Sequence, residues 1–155
     1  MEMLAPRPGE RVLDAGCGIG RWSAALAATG ARVTGIDIQA PLLEQARIAC
    51  PLAEFQAADL LAFHPAAPFD AIFAFATLHW VLPAAGAARA MHQLLKPGGR
   101  LGAAFGGLPE GAAQLAHCYA PEPEEYELVL KEAGFAILEM RRMERHFLVL
   151  AARAC

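Results

Sequence analysis

The sequence predicts an α/β fold, a doubly wound, mostly parallel seven-stranded sheet with an antiparallel strand near the C-terminus. Three observations carry this. Short apolar or β-branched runs alternate from end to end with segments of helical period, the pattern of a sheet covered by helices on both faces. The strand-like runs are almost continuously apolar, as strands buried on both sides must be. The last two runs, at about 135–141 and 146–152, are separated by only a few residues around Arg142 and Arg145, too few for a parallel crossover, so they pair antiparallel.

Each element has its own signal. "RVLDA" (11–15) is a short apolar run feeding glycines and reads as a buried first strand. "RWSAALAATG" places Trp22, Ala25, Leu26 and Thr29 on one helical face and stops at Gly30. "ARVTGIDI" (31–38), β-branched and apolar, is the second strand. Pro41 suits the first turn of a second helix, in which Leu42, Leu43, Ala46, Ala49 and Cys50 form an inward stripe that Pro51 closes. "AEFQA" (53–57) is a weak third strand before Asp59, and "FDAIFAFA" (69–76) is the most apolar strand. Ala84, Ala87, Ala88, Met91, Leu94 and Leu95 then follow helical spacing until "KPGG" ends the helix, and "RLGAAF" (100–105) is the next strand. Glu124 and Glu125 favour the positive end of a further helix that buries Tyr126, Val129, Leu130 and Ala133 and stops at Gly134.

The chain of 155 residues, 56% hydrophobic and 19% charged, fits one packed domain over 1–155 and excludes a disordered chain. Net charge is −3 and the basic residues are scattered; Arg141, Arg142 and Arg145 read as the solvated side of a strand, which argues against a nucleic-acid partner. The start, "MEMLAPRPGE", lacks a signal-peptide pattern and no apolar stretch reaches the ~18 residues needed to span a bilayer, so a cytoplasmic protein without a membrane partner is expected. Cys17, Cys50, Cys118 and Cys155 form no CxxC pair and are expected as reduced thiols. The histidines show no metal-ligand spacing, so no metal is expected, and His64, His92, His117 and His146 read as ordinary surface or core residues.

Doubly wound sheets bind ligands beyond the carboxyl ends of their strands, which gathers the Asp14–Gly20 loop, Asp37, Asp59 and the 74–80 segment around one cleft. The loop Gly16-Cys17-Gly18-Ile19-Gly20-Arg21 departs from a dinucleotide fingerprint at Arg21, where the last glycine belongs. Asp14 would oppose a pyrophosphate but favour an ammonium or sulfonium group, so a nicotinamide oxidoreductase is disfavoured. Asp37, ending the second strand, is placed to accept from ribose hydroxyls, and Asp59, ending the third, from the exocyclic amine of an adenine. Carboxylates around a nucleoside with a cationic tail describe S-adenosylmethionine.

"VLDAGCGIG", "VTGIDI", "AADLLAF", "FDAIFAFATLHWV" and "LLKPGGRL" resemble, in that order and over nearly the whole chain, the motifs of the class I S-adenosylmethionine-dependent methyltransferases, which have a Rossmann-like fold. The "TLHWV", "FGG" and "PEEYELVLKEAGF" segments are most similar to the trans-aconitate methyltransferase-like branch, which methylates small carboxylic acids on oxygen. The resemblance implies S-adenosylmethionine as cofactor, with Asp14, Gly16, Gly18 and Gly20 at its methionine end, Asp37 and Ile38 at the ribose, Asp59 and Leu60 at the ring, and Phe75 near the methyl-transfer end. His79 and Trp80 are the candidates to line the substrate. A carboxylate acceptor needs no base, because it is ionised at neutral pH, whereas for a hydroxyl or amine His79 is the candidate proton acceptor.

Three departures shape the expectation. Ala74-Phe75 stands where relatives commonly carry Ser-Asn, so the methyl-transfer end is more apolar. The N-terminal helix that usually covers the cofactor does not precede the first strand here, and the substrate-binding insertion at about 106–121 is short. An open cleft follows, covered by a second copy, a partner subunit or the substrate. The expected function is methyl transfer from S-adenosylmethionine to a small-molecule carboxylate or hydroxyl oxygen. The alternative is a cofactor-binding subunit or degenerate module without independent turnover. Nucleic-acid base methylation is disfavoured, since "FATLHW" replaces the Asn/Asp-Pro-Pro-aromatic segment of exocyclic-amine enzymes.

Overall fold

The computed structural model describes residues 3–106, 122–142 and 146–153. Its seven strands form one sheet: β1 (Arg11–Ala15), β2 (Arg32–Asp37), β3 (Glu54–Ala57), β4 (Phe69–Phe75), β5 (Leu95–Gly106), β6 (Phe135–Arg142) and β7 (His146–Arg153), in the spatial order β3-β2-β1-β4-β5-β7-β6. β1 to β5 pair in parallel, and β7 runs antiparallel to both β5 and β6. The closing antiparallel pair predicted from the short spacing is thus present, with the later strand inserted between β5 and β6. The strand order reverses between β1 and β4, and such a switch point opens a crevice beyond the strand ends.

Alternation along the strands sorts two cores. Val12 of β1, Val33 of β2 and Ala71 and Phe73 of β4 pack with Leu4 and Leu26 on the face covered by α1 (Arg21–Ala27). Leu13, Ile36 and Ile72 point the other way, into a larger core with Met91 of α3 (Ala84–Leu94) and Tyr126 and Leu130 of α4 (Pro123–Glu132). α2 (Ala40–Ala49) lies beside α1, against β2 and β3. At the start of α4, Glu122 and Glu125 form a reciprocal capping box, so the acidic first turn does more than complement the helix dipole.

Some details differ from the periodicity. In α1 Leu26 is buried but Trp22 and Ala25 are half-buried, as is Thr29 just beyond the helix, while Ser23 is fully buried. In α2 only Leu43 and Ala46 of the helix itself reach the core; Ala49 is exposed and Leu42 turns toward the crevice, because this short helix sits at the narrow β3 edge of the sheet. "KPGG" ends α3 but belongs to β5, whose register against β4 slips between Phe69↔Leu95 and Ala71↔Arg100. Cys17 and Cys50 are buried, unbridged thiols. The expected insertion at about 106–121, with His117 and Cys118, lies outside the described residues apart from Gly106, as do Arg145, Cys155 and the side chain of His146.

Arg100 of β5 ties the N-terminal segment to the sheet. Its Nε donates to the Leu4 carbonyl at 2.6 Å, Nη2 to the Ala5 carbonyl at 2.9 Å, and the two Nη atoms to the Glu10 carboxylate at 3.0 and 2.7 Å. The Arg100 hydrogen bond, with further help from its charge and from the Arg7 amide, holds the Glu10 carboxyl below its ordinary range. Bidentate pairing of this kind fixes geometry as well as charge. Arg100→Ala is expected to lower the free energy of unfolding by about 1.5–3 kcal/mol, the range for hydrogen bonds to charged groups. An unchanged urea midpoint would show that Leu4 is held by packing alone.

Candidate functional site

Past Ala15 the chain folds back over the end of β2. Gly16 N and Cys17 N both donate to the Ile36 carbonyl, at 2.8 and 3.0 Å, and Gly18 N donates to Asp37 Oδ2 at 2.9 Å. Close packing fixes the loop from two other sides. A Cβ on Gly16 (φ 76°) would lie 2.2 Å from Thr77 Oγ1, so the turn after β4 presses directly on the loop. On Gly20 (φ 82°) it would lie 2.9 Å from the Ala46 Cα, so α2 seats against the start of α1 there. The three glycines expected to contact one ligand therefore divide: Gly16 and Gly18 line the crevice, and Gly20 packs helices together instead.

Asp14 is likewise not where its charge suggested. It is 2% exposed, does not line the crevice, and its Oδ2 accepts from Ser23 Oγ at 2.6 Å. Strand alternation is the reason, since Asp14 points to the same face as Val12, directly beneath α1. Burial raises its carboxyl to about 6, against the opposing Ser23 hydrogen bond and with help from the Asp37 charge. Burial, followed by the charges of Asp14 and Asp37, pushes the Cys17 thiol up to about 12, which makes it an inert packing group.

The crevice itself has a volume of about 680 Å³ and lies at the carboxyl ends of β2, β3 and β4. Asp37, Ile38, Asp59, Leu60, Phe75 and Trp80 all line it, so most of the predicted residues converge. Both acids use one oxygen in an Asx turn: Asp37 Oδ1 accepts from Gln39 N and Asp59 Oδ1 from Leu61 N, each at 2.9 Å. Asp59 thereby caps the single 3₁₀ turn Leu60–Ala62 as well as facing the crevice. An ionised carboxylate offers about four lone-pair sites, so both acids keep acceptor capacity. Phe75 lies with its ring 4.9 Å from that of Trp22.

His79 is displaced from its expected role. It is 3% exposed, does not line the crevice, and packs its ring 5.1 Å from that of Trp80; burial lowers its pKa, favouring the neutral ring. Its Nδ1 makes no hydrogen bond among the described residues. Trp80, 43% exposed, supplies the wall that the pair was expected to supply together. Residues the sequence reading missed are Ser23 under the loop, and Gln39, Leu42 and Leu82 around the opening. An Asx turn after "GID" was a legible signal for Gln39. Among the described residues no cluster of His, Cys, Asp or Glu could hold a metal ion, and no helix is long and apolar enough to cross a membrane.

Residues 12–99, more than half of the chain and spanning the loop, both acids and β4, match the family model described as a methyltransferase domain. The chain belongs to this methyltransferase domain family. It is 44% identical over 92 residues to the trans-aconitate 2-methyltransferase of Azoarcus sp. (strain BH72), covering 58% of this chain and 36% of that protein. It is 46% identical over 103 residues to the ubiquinone biosynthesis O-methyltransferase of Xylella fastidiosa (strain 9a5c), covering 62% and 42%. The chain thus spans about two fifths of the length of these curated relatives. An S-adenosylmethionine-dependent methyltransferase structure from Mesorhizobium loti shares the fold, with a TM-score of 0.84, 24% identity, and coverage of 98% of this chain and 94% of that one.

The buried acid of this methyltransferase domain carries a pH signature. Because the folded carboxyl of Asp14 titrates near 6 rather than 3.8, folding favours its protonated form. Its contribution to stability is full below about 3.8 and is lost as pH rises through about 6. Asp14→Asn is expected to remove that fall, so the difference in unfolding free energy between the two proteins should grow across this window and then level off. Urea unfolding at a series of pH values measures it; a difference independent of pH would show that Asp14 is not held in its protonated form.

Proposed function

We propose that this methyltransferase domain binds S-adenosylmethionine in the crevice and methylates a small-molecule acceptor at its Phe75–Leu82 end. The observation that carries this reading is Asp37: its carboxylate is fixed by the Gly18 and Gln39 amides on the crevice wall, with acceptor sites left over for vicinal hydroxyls. The volume, about 680 Å³, falls in the roughly 300–1,000 Å³ range of small-molecule sites. Beside Asp37, a Cβ on Gly18 would meet nothing within 4 Å, so the space over the loop is open to a ligand.

In this reading Asp37 holds the ribose, Asp59 accepts from the adenine amine with its second oxygen, and Ile38 and Leu60 flank the ring. When bound, the cofactor supplies a methyl carbon made electrophilic by its sulfonium. Two carboxylates on the wall favour that cation over a phosphorylated nucleotide, which they would repel. Asp14 supports the loop from behind rather than touching the ligand. With His79 buried, no histidine among the described residues lines the crevice, so the protein acts chiefly by aligning the reactants. Alignment of this kind is worth on the order of 7–11 kcal/mol. The name of the Xylella fastidiosa relative, an O-methyltransferase, supports oxygen as the methylated atom.

Asp37→Ala is expected to weaken binding of S-adenosylhomocysteine by about 1.5–3 kcal/mol, roughly ten- to 150-fold in Kd. Isothermal calorimetry measures this directly. An affinity that does not change would remove Asp37 from the ribose, and stabilisation of the domain by NAD but not by S-adenosylhomocysteine would overturn the cofactor assignment altogether.

A further inference from the structure

We propose that the acceptor is an uncharged molecule with a flat, apolar body carrying an acidic hydroxyl, an aromatic alcohol in chemical class, and not a small polycarboxylate. The inference rests on the methyl-transfer reading above and narrows it to a substrate class.

Charge decides the first half. The ionisable side chains on the crevice wall, among the described residues, are Asp37 and Asp59, both acidic; neither Lys, Arg nor His lines it. Arg21, the basic residue next to the glycine loop, lays its guanidinium over the Trp22 ring at 5.8 Å and does not line the crevice. A polycarboxylate entering here would lose hydration and gain two repulsions with no counter-charge, the most costly way to bury an anion.

Shape decides the second half. The acceptor end is walled by Phe75, Ala76, Thr77, Trp80, Val81 and Leu82. Its polar groups are the Trp80 indole N–H and the Thr77 hydroxyl, and that hydroxyl donates to the Phe75 carbonyl at 3.0 Å. Phe75, Trp80 and Leu82 are 36%, 43% and 40% exposed, large apolar surfaces gathered on one wall and left open to whatever enters. Aromatic faces of this kind are covered best by another ring in offset or tilted contact.

The described wall points to the nucleophile. Among the described residues no His lines the crevice, and Asp37 and Asp59 stand on its β2 and β3 side, where the reading above assigns them to the ribose and the adenine amine, so the described wall leaves the acceptor to ionise by itself. A phenolic hydroxyl, with a pKa near 10, does so far more readily than an aliphatic alcohol. The acceptor oxygen forms its bond to the methyl carbon with its own lone pair as the carbon–sulfur bond breaks; that bonding pair stays on sulfur, and the hydroxyl proton passes to water.

The test is calorimetry on the whole chain, first with S-adenosylhomocysteine, then with 2-naphthol or citrate added to the saturated protein, followed by isotope transfer from S-adenosylmethionine. Saturable binding of 2-naphthol, no binding of citrate, loss of about tenfold or more in 2-naphthol affinity in Trp80→Ala, and transfer that rises with pH toward the ionisation of the naphthol are expected. Folding of the variant is checked by circular dichroism, and the preference of the unaltered protein is decisive without it. Citrate binding more tightly than 2-naphthol, or a Trp80→Ala protein that folds and keeps full 2-naphthol affinity, would overturn the proposal. If S-adenosylhomocysteine itself fails to bind, the cofactor reading falls; if it binds and 2-naphthol does not, the acceptor class alone falls.

Discussion

The end of β2 is the fixed point from which the site is built. The Ile36 carbonyl takes two successive amides of the loop after β1, and the Asp37 carboxylate takes the third while also closing the turn that leads into α2 through Gln39. One acid therefore sets two chain segments at once. Were it free to rotate, neither the height of the loop over the sheet nor the entry of α2 would be defined, and with α2 goes the contact between Ala46 and Gly20 that seats α1. The same fixing makes Asp37 a prepared acceptor. Its geometry is supplied by the fold, so little ordering remains for a ligand to impose.

The elements were legible because the periods of sheet and helix are physically distinct and the chain respects both. β1 alternates Val12 and Leu13 between two cores, and α3 buries Ala87, Ala88, Met91 and Leu94 on one side. Spacing also exposed the closing antiparallel pair, since three or four residues leave no room for a crossover. What period does not encode is the environment of a single side chain at the end of an element. Leu42 and Ala49 both fit the α2 stripe, yet the sheet edge is too narrow to bury them.

The lining of the crevice was legible at or just beyond strand ends, at Asp37, Asp59, Gly18 and Phe75. It was misread where a charge was weighed without its direction. Asp14 shares the face of Val12, so alternation already turned it under α1, and Ser23, opposite it on the helix, is the partner that makes its burial tolerable. The orientation of His79 against Trp80 was beyond sequence patterning, because both lie in one short 3₁₀ turn, Leu78–Trp80, in which neighbouring side chains point a third of a turn apart. Only packing against the core decides which of the two turns inward.

The crevice sets its charged and its apolar groups on different strands. Its carboxylates stand at the ends of β2 and β3, where backbone amides of the adjoining turns hold them, whereas the Phe75–Leu82 wall follows β4 and carries almost no polar group. Charge thus stands at one end and apolar surface at the other. Substitutions in the 75–82 segment can reshape the apolar wall without touching the hydrogen bonds that fix Asp37 and Asp59, provided Thr77 continues to fit against Gly16. That contact couples the halves: it is where the apolar wall after β4 bears on the glycine loop, and it limits how far residues 75–82 can change while the loop keeps its geometry.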